Sequence, residues 1–222
     1  MRKIGIFGLV GILALILAGC GGGDNHPVIT KFIDSNLSVD ADITRDLSTG
    51  TVGVPSLALN TGNVLAGVTV DLGGTPIADT RGFLNFPLSV IPMNASIRFA
   101  SVTIFLNQVT LRNPLLPTPF FLDLIDTDTF PPPILTSDYS APFAGTPISF
   151  DFLNIDQGNG VEIKVTSLMQ EAQSRGLSSF EVRFGFDEAA FNADANTTRG
   201  LIEIDDRDLV PSQRPFLTVE YF

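Results

Sequence analysis

Side chains that could act in acid–base or nucleophilic catalysis are scarce in this sequence. His26 is the single histidine and Cys20 the single cysteine, and both precede the first predicted strand. A Ser-His-Asp or Cys-His arrangement needs a base held firmly against its nucleophile, which a short polar linker does not provide. Two such residues cannot build a zinc site either. The glycines at 21–23 follow no predicted strand, so they do not form a phosphate-binding loop.

Carboxylates are the abundant group, and they fall into three clusters at 34–46, 123–128 and 203–208. Oxygen ligands of this kind suit calcium, which takes six to eight of them. None of the clusters has the EF-hand pattern, and we expect most of these residues to lie in solvated loops and at strand ends. The last cluster is the densest, so a structural calcium is predicted first at Asp205 and Asp206. No pair is marked as the two acids of a glycosidase, which makes a hydrolase the least supported hypothesis.

Three arginines and one tyrosine are the candidates for ligand binding. Arg81 opens the longest stretch of strand-like sequence, and two hypotheses stay open for it. In the first, its guanidinium pairs with a carboxylate and fixes the start of a strand. In the second, it contacts an acidic glycan together with Arg98 or Arg183 on an outer sheet face. The glycan hypothesis further predicts that Tyr139, Phe143 or arginines are exposed and grouped on one concave sheet face.

The elements that position these residues are predicted by period-two alternation. In 81–107, Leu84 and Phe86 lie on one strand face, and a second strand follows the turn at Pro92. Ile97 falls on the opposite parity from Ala100, which predicts a bulge near Arg98. The clearest alternation is at 180–186, with Phe180, Val182, Phe184 and Phe186 facing the core and Glu181, Arg183 and Gly185 facing solvent.

One short helix is predicted near 166–175. Thr166 or Ser167 would cap it, and Gly176 would end it. A long loop, including Phe130–Pro133, is expected to continue to Pro147 before the next strand. About ten strands, one helix and no alternating strand–helix rhythm predict an all-β fold. We expect an antiparallel β-sandwich of the jelly-roll type.

The N-terminal segment has the pattern of an export signal. Arg2 and Lys3 precede an uncharged apolar run at 4–16, which ends in the sequence LAGC at 17–20. This string resembles the bacterial lipobox, and the resemblance implies that Cys20 is lipidated and becomes the new N-terminus. Gly21 after the cysteine, in place of aspartate, implies sorting to the outer membrane. The predicted organisation is a signal peptide at 1–19, the lipidated Cys20 with a flexible tether at 20–27, and one domain at 28–222.

Three pieces of the domain are similar to DNRLRE-type domains, which are extracellular β-sandwiches. They are RGFLNFPL at 81–88 with its continuation to Val102, VTSL at 165–168, and PFLTVEY at 215–221. A tryptophan commonly ends the helix of that family, whereas this sequence contains none. Related modules bind alginate or serve as surface domains. The resemblance therefore implies a β-sandwich and raises glycan binding as a function.

Composition excludes one class of partner and leaves two open. The formal net charge is −11, and Arg2 and Lys3 lie in the predicted signal peptide, so the remaining chain is more acidic still. Such a chain does not suit nucleic acid. We expect a non-catalytic envelope lipoprotein that binds a cell-surface or extracellular polysaccharide. The alternative is a structural or assembly lipoprotein with a protein partner in the outer membrane. No cofactor is expected beyond the structural calcium.

Overall fold

The computed structural model describes residues 27–126, 134–206 and 213–222. The predicted signal peptide, the lipobox with Cys20 and the predicted Phe130–Pro133 loop lie outside these residues. Within the described ranges the protein is an antiparallel, all-β, sandwich-like fold, as predicted. The strands are β1 (Ile29–Asp34), β2 (Ala41–Asp46), β3 (Ser56–Leu57), β4 (Asn63–Val70), β5 (Pro76–Pro87), β6 (Ile97–Leu111), β7 (Thr118–Ile125), β8 (Phe143–Phe152), β9 (Gly160–Lys164), β10 (Ser179–Phe186), β11 (Gly200–Asp205) and β12 (Phe216–Tyr221).

These strands form one curled sheet in the order β1-β12-β6-β11-β4-β5-β10-β7-β8. Strands β2, β3 and β9 pair beside this path. β6 belongs to both parts of the sheet. Its first half, Ile97–Phe105, pairs with β12 and β9, whereas its second half, Leu106–Leu111, pairs with β11. The bulge predicted near Arg98 is confirmed: Glu220 pairs with Phe99 and Tyr221 with Ile97, so Arg98 is the extra residue.

Strand β5 is where the sheet divides. Thr80 pairs with β2 and β4, whereas Gly82 and Phe83 pair with β2 and β10. Strands β4 and β10 therefore lie one after the other along the same edge of β5, and β2 lies along the opposite edge. Gly82 allows the start of β4 to pack closely against β5, because a Cβ at this position would lie 2.8 Å from Cγ1 of Val64 and 2.9 Å from the carbonyl oxygen of Leu65. Any larger residue would push β4 away from β5.

The main core lies inside the curled sheet and is rich in phenylalanine. Phe120 packs edge-on against Phe152, with ring centroids 5.0 Å apart, and Phe86 packs against Phe180. All four rings are fully buried. Burying an aromatic side chain of this size contributes roughly 2–3 kcal/mol of hydrophobic stabilisation. The alternation predicted for β5 and β10 is confirmed on this inner face.

The outer face of β10 differs from the prediction. Glu181, Arg183 and Gly185 are buried rather than solvent-facing, and so is every other residue of the strand. The segment at 134–142 lies over this face, since Arg183 donates to three of its backbone carbonyls. It contributes Ile134 and Tyr139 to a small additional core of Ala41, Ile43, Phe83 and Ile125. Period-two alternation locates the two faces of a strand but does not show that a segment far away in the sequence covers the second one.

The helices are α1 (Ala58–Thr61), α2 (Thr166–Ser174) and α3 (Glu188–Ala193). The predicted helix corresponds to α2, and its buried face of Leu168, Met169 and Ala172 packs between β6 and β8, closing one side of the sandwich. The predicted side-chain cap is wrong, because Val165 is the N-cap and the Thr166 hydroxyl bonds both the N–H and the carbonyl of Ala100. Among the described residues, no helix is long and apolar enough to cross a membrane.

The connection before β8 is shorter than predicted. A 3-10 helix spans Thr136–Ser140, and β8 begins at Phe143 instead of after Pro147. The additional pairs are Phe143 with Ile125 and Ala144 with Leu124, which follow a register shift in β7. Gly145, with a φ of 73°, and Pro147 are residues that interrupt strand patterns, so the sequence does not mark this part of β8 as strand.

Candidate functional site

The candidate site lies on the outer face of β5, β10 and β7, beneath the 3-10 segment. Its foundation is Arg183 on β10, whose Nε and Nη2 donate to the two oxygens of Asp123 on β7 at 3.1 and 2.7 Å. Nη1 donates to the backbone carbonyls of Asp138, Tyr139 and Ala141 at 3.0–3.1 Å. Arg183 is 3% exposed. Every guanidinium nitrogen is engaged, so Arg183 holds the segment in place and does not offer a donor to a ligand.

Burial and the pairing with Arg183 have opposite effects on the pKa of Asp123. Burial raises the pKa of this carboxyl, whereas the hydrogen bonds from Arg183 and its charge lower the pKa. A bidentate arginine–carboxylate pair is the geometry in which a buried charge is tolerated. The pair fixes the register between the neighbouring strands β10 and β7 and ties both to the 3-10 segment.

Arg81 on β5 lies beside this pair but is not part of it. Its Nη1 donates to the backbone carbonyl of Tyr139, and its guanidinium carbon lies 4.3 Å from the centroid of the Tyr139 ring and 5.8 Å from that of Phe121. No carboxylate of the described residues lies within salt-bridge distance of Arg81. Burial and the charge of Arg183 lower the pKa of Arg81. The half-buried cation is thus held by aromatic rings and a carbonyl, without a direct counter-ion.

Gly185 explains why Phe121 can reach Arg81. Gly185 on β10 is paired with Phe121 on β7, and a Cβ on Gly185 would lie 2.5 Å from Cζ of Phe121. With no side chain at 185, the phenylalanine ring lies across β10 toward the guanidinium. The small residue therefore creates the aromatic wall of the site.

An open cavity of about 470 Å³ adjoins these side chains. We call it the Arg81 cleft and define it by Arg81, Phe121, Phe143, Ser149 and Asp187. Phe143 is 54% exposed at its rim. The Ser149 hydroxyl donates to Asp187 at 2.8 Å, and Asp187 also caps α3 through the N–H of Ala190. Arg183 and Asp123 also line the cavity, which thus combines two arginines, two carboxylates and two aromatic rings.

Tyr139 and Arg98 do not belong to this cleft. The predicted exposure of Tyr139 is wrong: the residue is 2% exposed, its hydroxyl donates to Asp79, and burial raises its pKa. Arg98 lies on the β6 bulge in the other part of the sheet, where its Nη1 is 3.9 Å from Glu220. The predicted grouping of arginines on one face therefore holds only for Arg81 and the engaged Arg183.

Asp205 and Asp206, the residues predicted for calcium, are both buried. Asp206 is fully buried at the end of β11 and accepts a hydrogen bond from the Ser35 hydroxyl at 2.9 Å. The carboxyl of Asp40 lies beside it, and burial and then the charge of Asp206 raise the pKa of Asp40 well above its usual value. Nε of Arg214 lies 3.9 Å from Asp206, and Asp205 is buried next to it. In the described ranges, no three His, Cys, Asp or Glu side chains converge as metal ligands.

Three residues of the cleft had not been singled out from the sequence. Phe121 and Ser149 have no signal in the sequence beyond their place in the alternating stretches at 120–125 and 148–152. Asp187 did carry a local signal, because an aspartate followed by the helix formers Glu188 and Ala189 is typical of a helix N-terminus. The cleft forms because β5, β10, β7 and β8 are adjacent, and that order is not encoded locally.

Comparison with known proteins found neither a family model nor a curated protein that matches this chain.

Proposed function

We propose that the protein is a non-catalytic binding module of the cell envelope and that the Arg81 cleft binds an acidic polysaccharide. The observation that carries the proposal is the state of Arg81, a half-buried cation that faces a cavity and has no carboxylate within salt-bridge distance among the described residues. A desolvated guanidinium gains most from a charge-assisted, bidentate hydrogen bond to a carboxylate. An acidic sugar supplies that carboxylate.

The aromatic rings of the cleft suit the rest of such a ligand. Phe143 at the rim is exposed and Phe121 forms the wall, so a sugar ring placed against them covers apolar surface while its carboxylate meets Arg81. Because the cavity is open to solvent, a polymer can enter and leave it across the sheet face. Lipid attachment at Cys20 and an outer-membrane location, which the lipobox resemblance implies, would present this face to envelope or extracellular polysaccharide. The net charge of −11 opposes any polyanion at long range, so the proposal rests on the local contacts of Arg81.

The test is a binding measurement on residues 24–222 with alginate and polygalacturonate as acidic polymers and dextran as a neutral one. We expect saturable binding to an acidic polymer and at least a tenfold loss of affinity in Arg81→Gln, because hydrogen bonds to charged groups contribute about 1.5–3 kcal/mol. Phe143→Ala should weaken binding less. Arg98→Gln is the matched control, since Arg98 is also partly exposed but lies in the other part of the sheet.

Two results would refute the proposal. One is equal binding to dextran and to the acidic polymers, and the other is an equal loss in Arg98→Gln and Arg81→Gln. Repeating the titration with calcium and with a chelator tests the metal prediction separately, since binding that disappears with the chelator would implicate the acidic clusters.

A specific observation also favours the alternative function, assembly with a protein partner. Phe32, Phe216 and Phe105 form a row across the outer face of β1, β12 and β6, with neighbouring ring centroids 6.1 and 6.4 Å apart. Phe32 is 70% exposed. Crosslinking in intact envelopes should then give a discrete adduct that Phe32→Ser abolishes. A crosslinking pattern unchanged by Phe32→Ser would argue against this role for the row.

A further inference from the structure

A second surface, at the end of the domain where the described chain begins, has the features of a membrane contact. Ile29 pairs with Tyr221, and Tyr221 pairs with Ile97 at the start of β6. Ser96 and Phe222 exchange two backbone hydrogen bonds of 3.2 and 3.3 Å. The loop between β5 and β6, which we call the 88–96 loop, therefore lies at the same end as the entry of the chain into β1.

The 88–96 loop contains no charged residue, although the chain carries a net charge of −11. Its sequence is LSVIPMNAS, in which Leu88, Ile91 and Ala95 are buried. Val90 is 52% exposed and Met93 84% exposed. Large apolar side chains at the tip of an uncharged loop are unfavourable in water and favourable in hydrocarbon.

Hydrogen bonds to neighbouring elements fix the conformation of the 88–96 loop. The N–H of Leu88 donates to the carbonyl of Ser178 at 3.0 Å, and the Gln173 side chain of α2 donates to the carbonyls of Pro92 and Met93 at 3.3 and 3.4 Å. These bonds satisfy backbone oxygens that would otherwise meet hydrocarbon unpaired. Behind the loop lies a mainly apolar cavity of about 290 Å³ between Met93, Met169 and Leu177.

We infer that this end of the domain docks on the bilayer, with Val90 and Met93 inserted among phospholipid acyl chains. The inference rests on the lipid anchor of the proposed function. From Cys20 to the start of β1 the chain spans at most about 30 Å at roughly 3.3 Å per residue, so the end that holds β1's first residue faces the membrane. Apolar residues at that end then meet hydrocarbon, whereas the same residues at the opposite end would stay in water.

The absence of tryptophan makes the surface directly measurable, because a single introduced tryptophan reports its own surroundings. Met93→Trp places the probe on the 88–96 loop. Leu115→Trp is the matched control: Leu115 is 88% exposed in the connection after β6, at the far end of that long strand. Both positions are solvent-facing, so neither substitution disturbs the core.

The experiment uses the chain from Cys20 onward, coupled through its sole thiol to a maleimide phospholipid in phosphatidylcholine vesicles with brominated acyl chains. We expect the fluorescence of Met93→Trp to fall at least twofold relative to unbrominated vesicles and to shift to the blue, with no change in Leu115→Trp. A further variant, Val90→Trp with Met93→Asp, should lose the quenching, because a charge at the loop tip opposes insertion.

Equal quenching of the Met93 and Leu115 probes, or none at either, would overturn the inference. Chemical coupling supplies the tether in every case, so this outcome does not depend on natural lipidation. Whether the cell lipidates Cys20 is answered separately by the mass of the protein extracted from membranes, and polysaccharide binding is answered by the Arg81→Gln titration.

Discussion

Asp42 offers a quantitative test of how much a buried, unpaired carboxylate lowers the stability of this fold. The side chain lies on β2, is 6% exposed, and accepts one hydrogen bond from the N–H of Leu65 at 3.3 Å. No described cation lies within salt-bridge distance of it. Burial raises the pKa of Asp42 from 3.8 to about 6. The substitution Asp42→Asn replaces the carboxylate with a neutral amide, which keeps an oxygen for the N–H of Leu65 and removes the charge.

The direction in which the free energy of unfolding changes with pH follows from the number of protons that each state binds. Between pH 3.8 and about 6, the folded state holds the Asp42 proton while the unfolded state has lost it, so the free energy of unfolding decreases as the pH rises through this window. A difference of about two pKa units corresponds to roughly 3 kcal/mol. We therefore expect Asp42→Asn to match the natural protein near pH 3.5 and to be more stable by up to about 3 kcal/mol at pH 7.

The measurement is urea denaturation followed by far-ultraviolet circular dichroism from pH 3.5 to 7.5. A stability difference that does not change with pH, or a variant that is less stable at pH 7, would refute the reasoning. Asp46→Asn is the contrasting control: Asp46 is exposed, and hydrogen bonds from the Ser48 hydroxyl and from the N–H groups of Thr49 and Ser48 lower its pKa. The Asp46 carboxylate stabilises the folded state above pH 3.8, and this stabilisation is lost as the pH falls. Asp46→Asn should therefore be less stable than the natural protein at pH 7 and should approach it at low pH.

Two further substitutions test the strand packing. Gly82→Ala should lower the free energy of unfolding by about 1–3 kcal/mol, because its Cβ would overlap Val64 and the Leu65 carbonyl; an unchanged urea midpoint would show that β4 moves aside without cost. Arg183→Met should cost about 3–5 kcal/mol, since it leaves Asp123 buried and unpaired. Adding Asp123→Leu should recover much of that loss in a double-mutant cycle, and no recovery would contradict the assigned pairing.

Much of the fold was predictable because its signals are local. The alternation of Phe180, Val182 and Phe184 identifies β10, Gly176 marks the end of α2, and the parity change at Ile97 marks the bulge. Each of these patterns reflects constraints within a few residues of the chain. The position of the 134–142 segment over β10 is a long-range contact, and for that reason Arg183 was expected on the surface.

The candidate site was predictable only in part, for the same reason. Arg81 was expected to open a strand, whereas β5 begins at Pro76 and Arg81 lies in its interior. It faces a cleft and has no carboxylate within salt-bridge distance among the described residues. Tyr139 was selected for its residue type, but its hydroxyl and ring are both used inside the protein. Whether a polar side chain meets solvent or a partner depends on strand order, and no spacing along the sequence reports that order.

The neighbouring positions of β1 and β12 have a consequence for how the domain assembles in time. The pair of Ile29 with Tyr221 joins residues separated by roughly 190 positions, and contacts of such high sequence separation form late and slowly. During synthesis β1 emerges before β12, the strand that pairs with it in the described residues. β1 is thus among the last parts of the sheet to become ordered, because its backbone groups stay unpaired until β12 has been made.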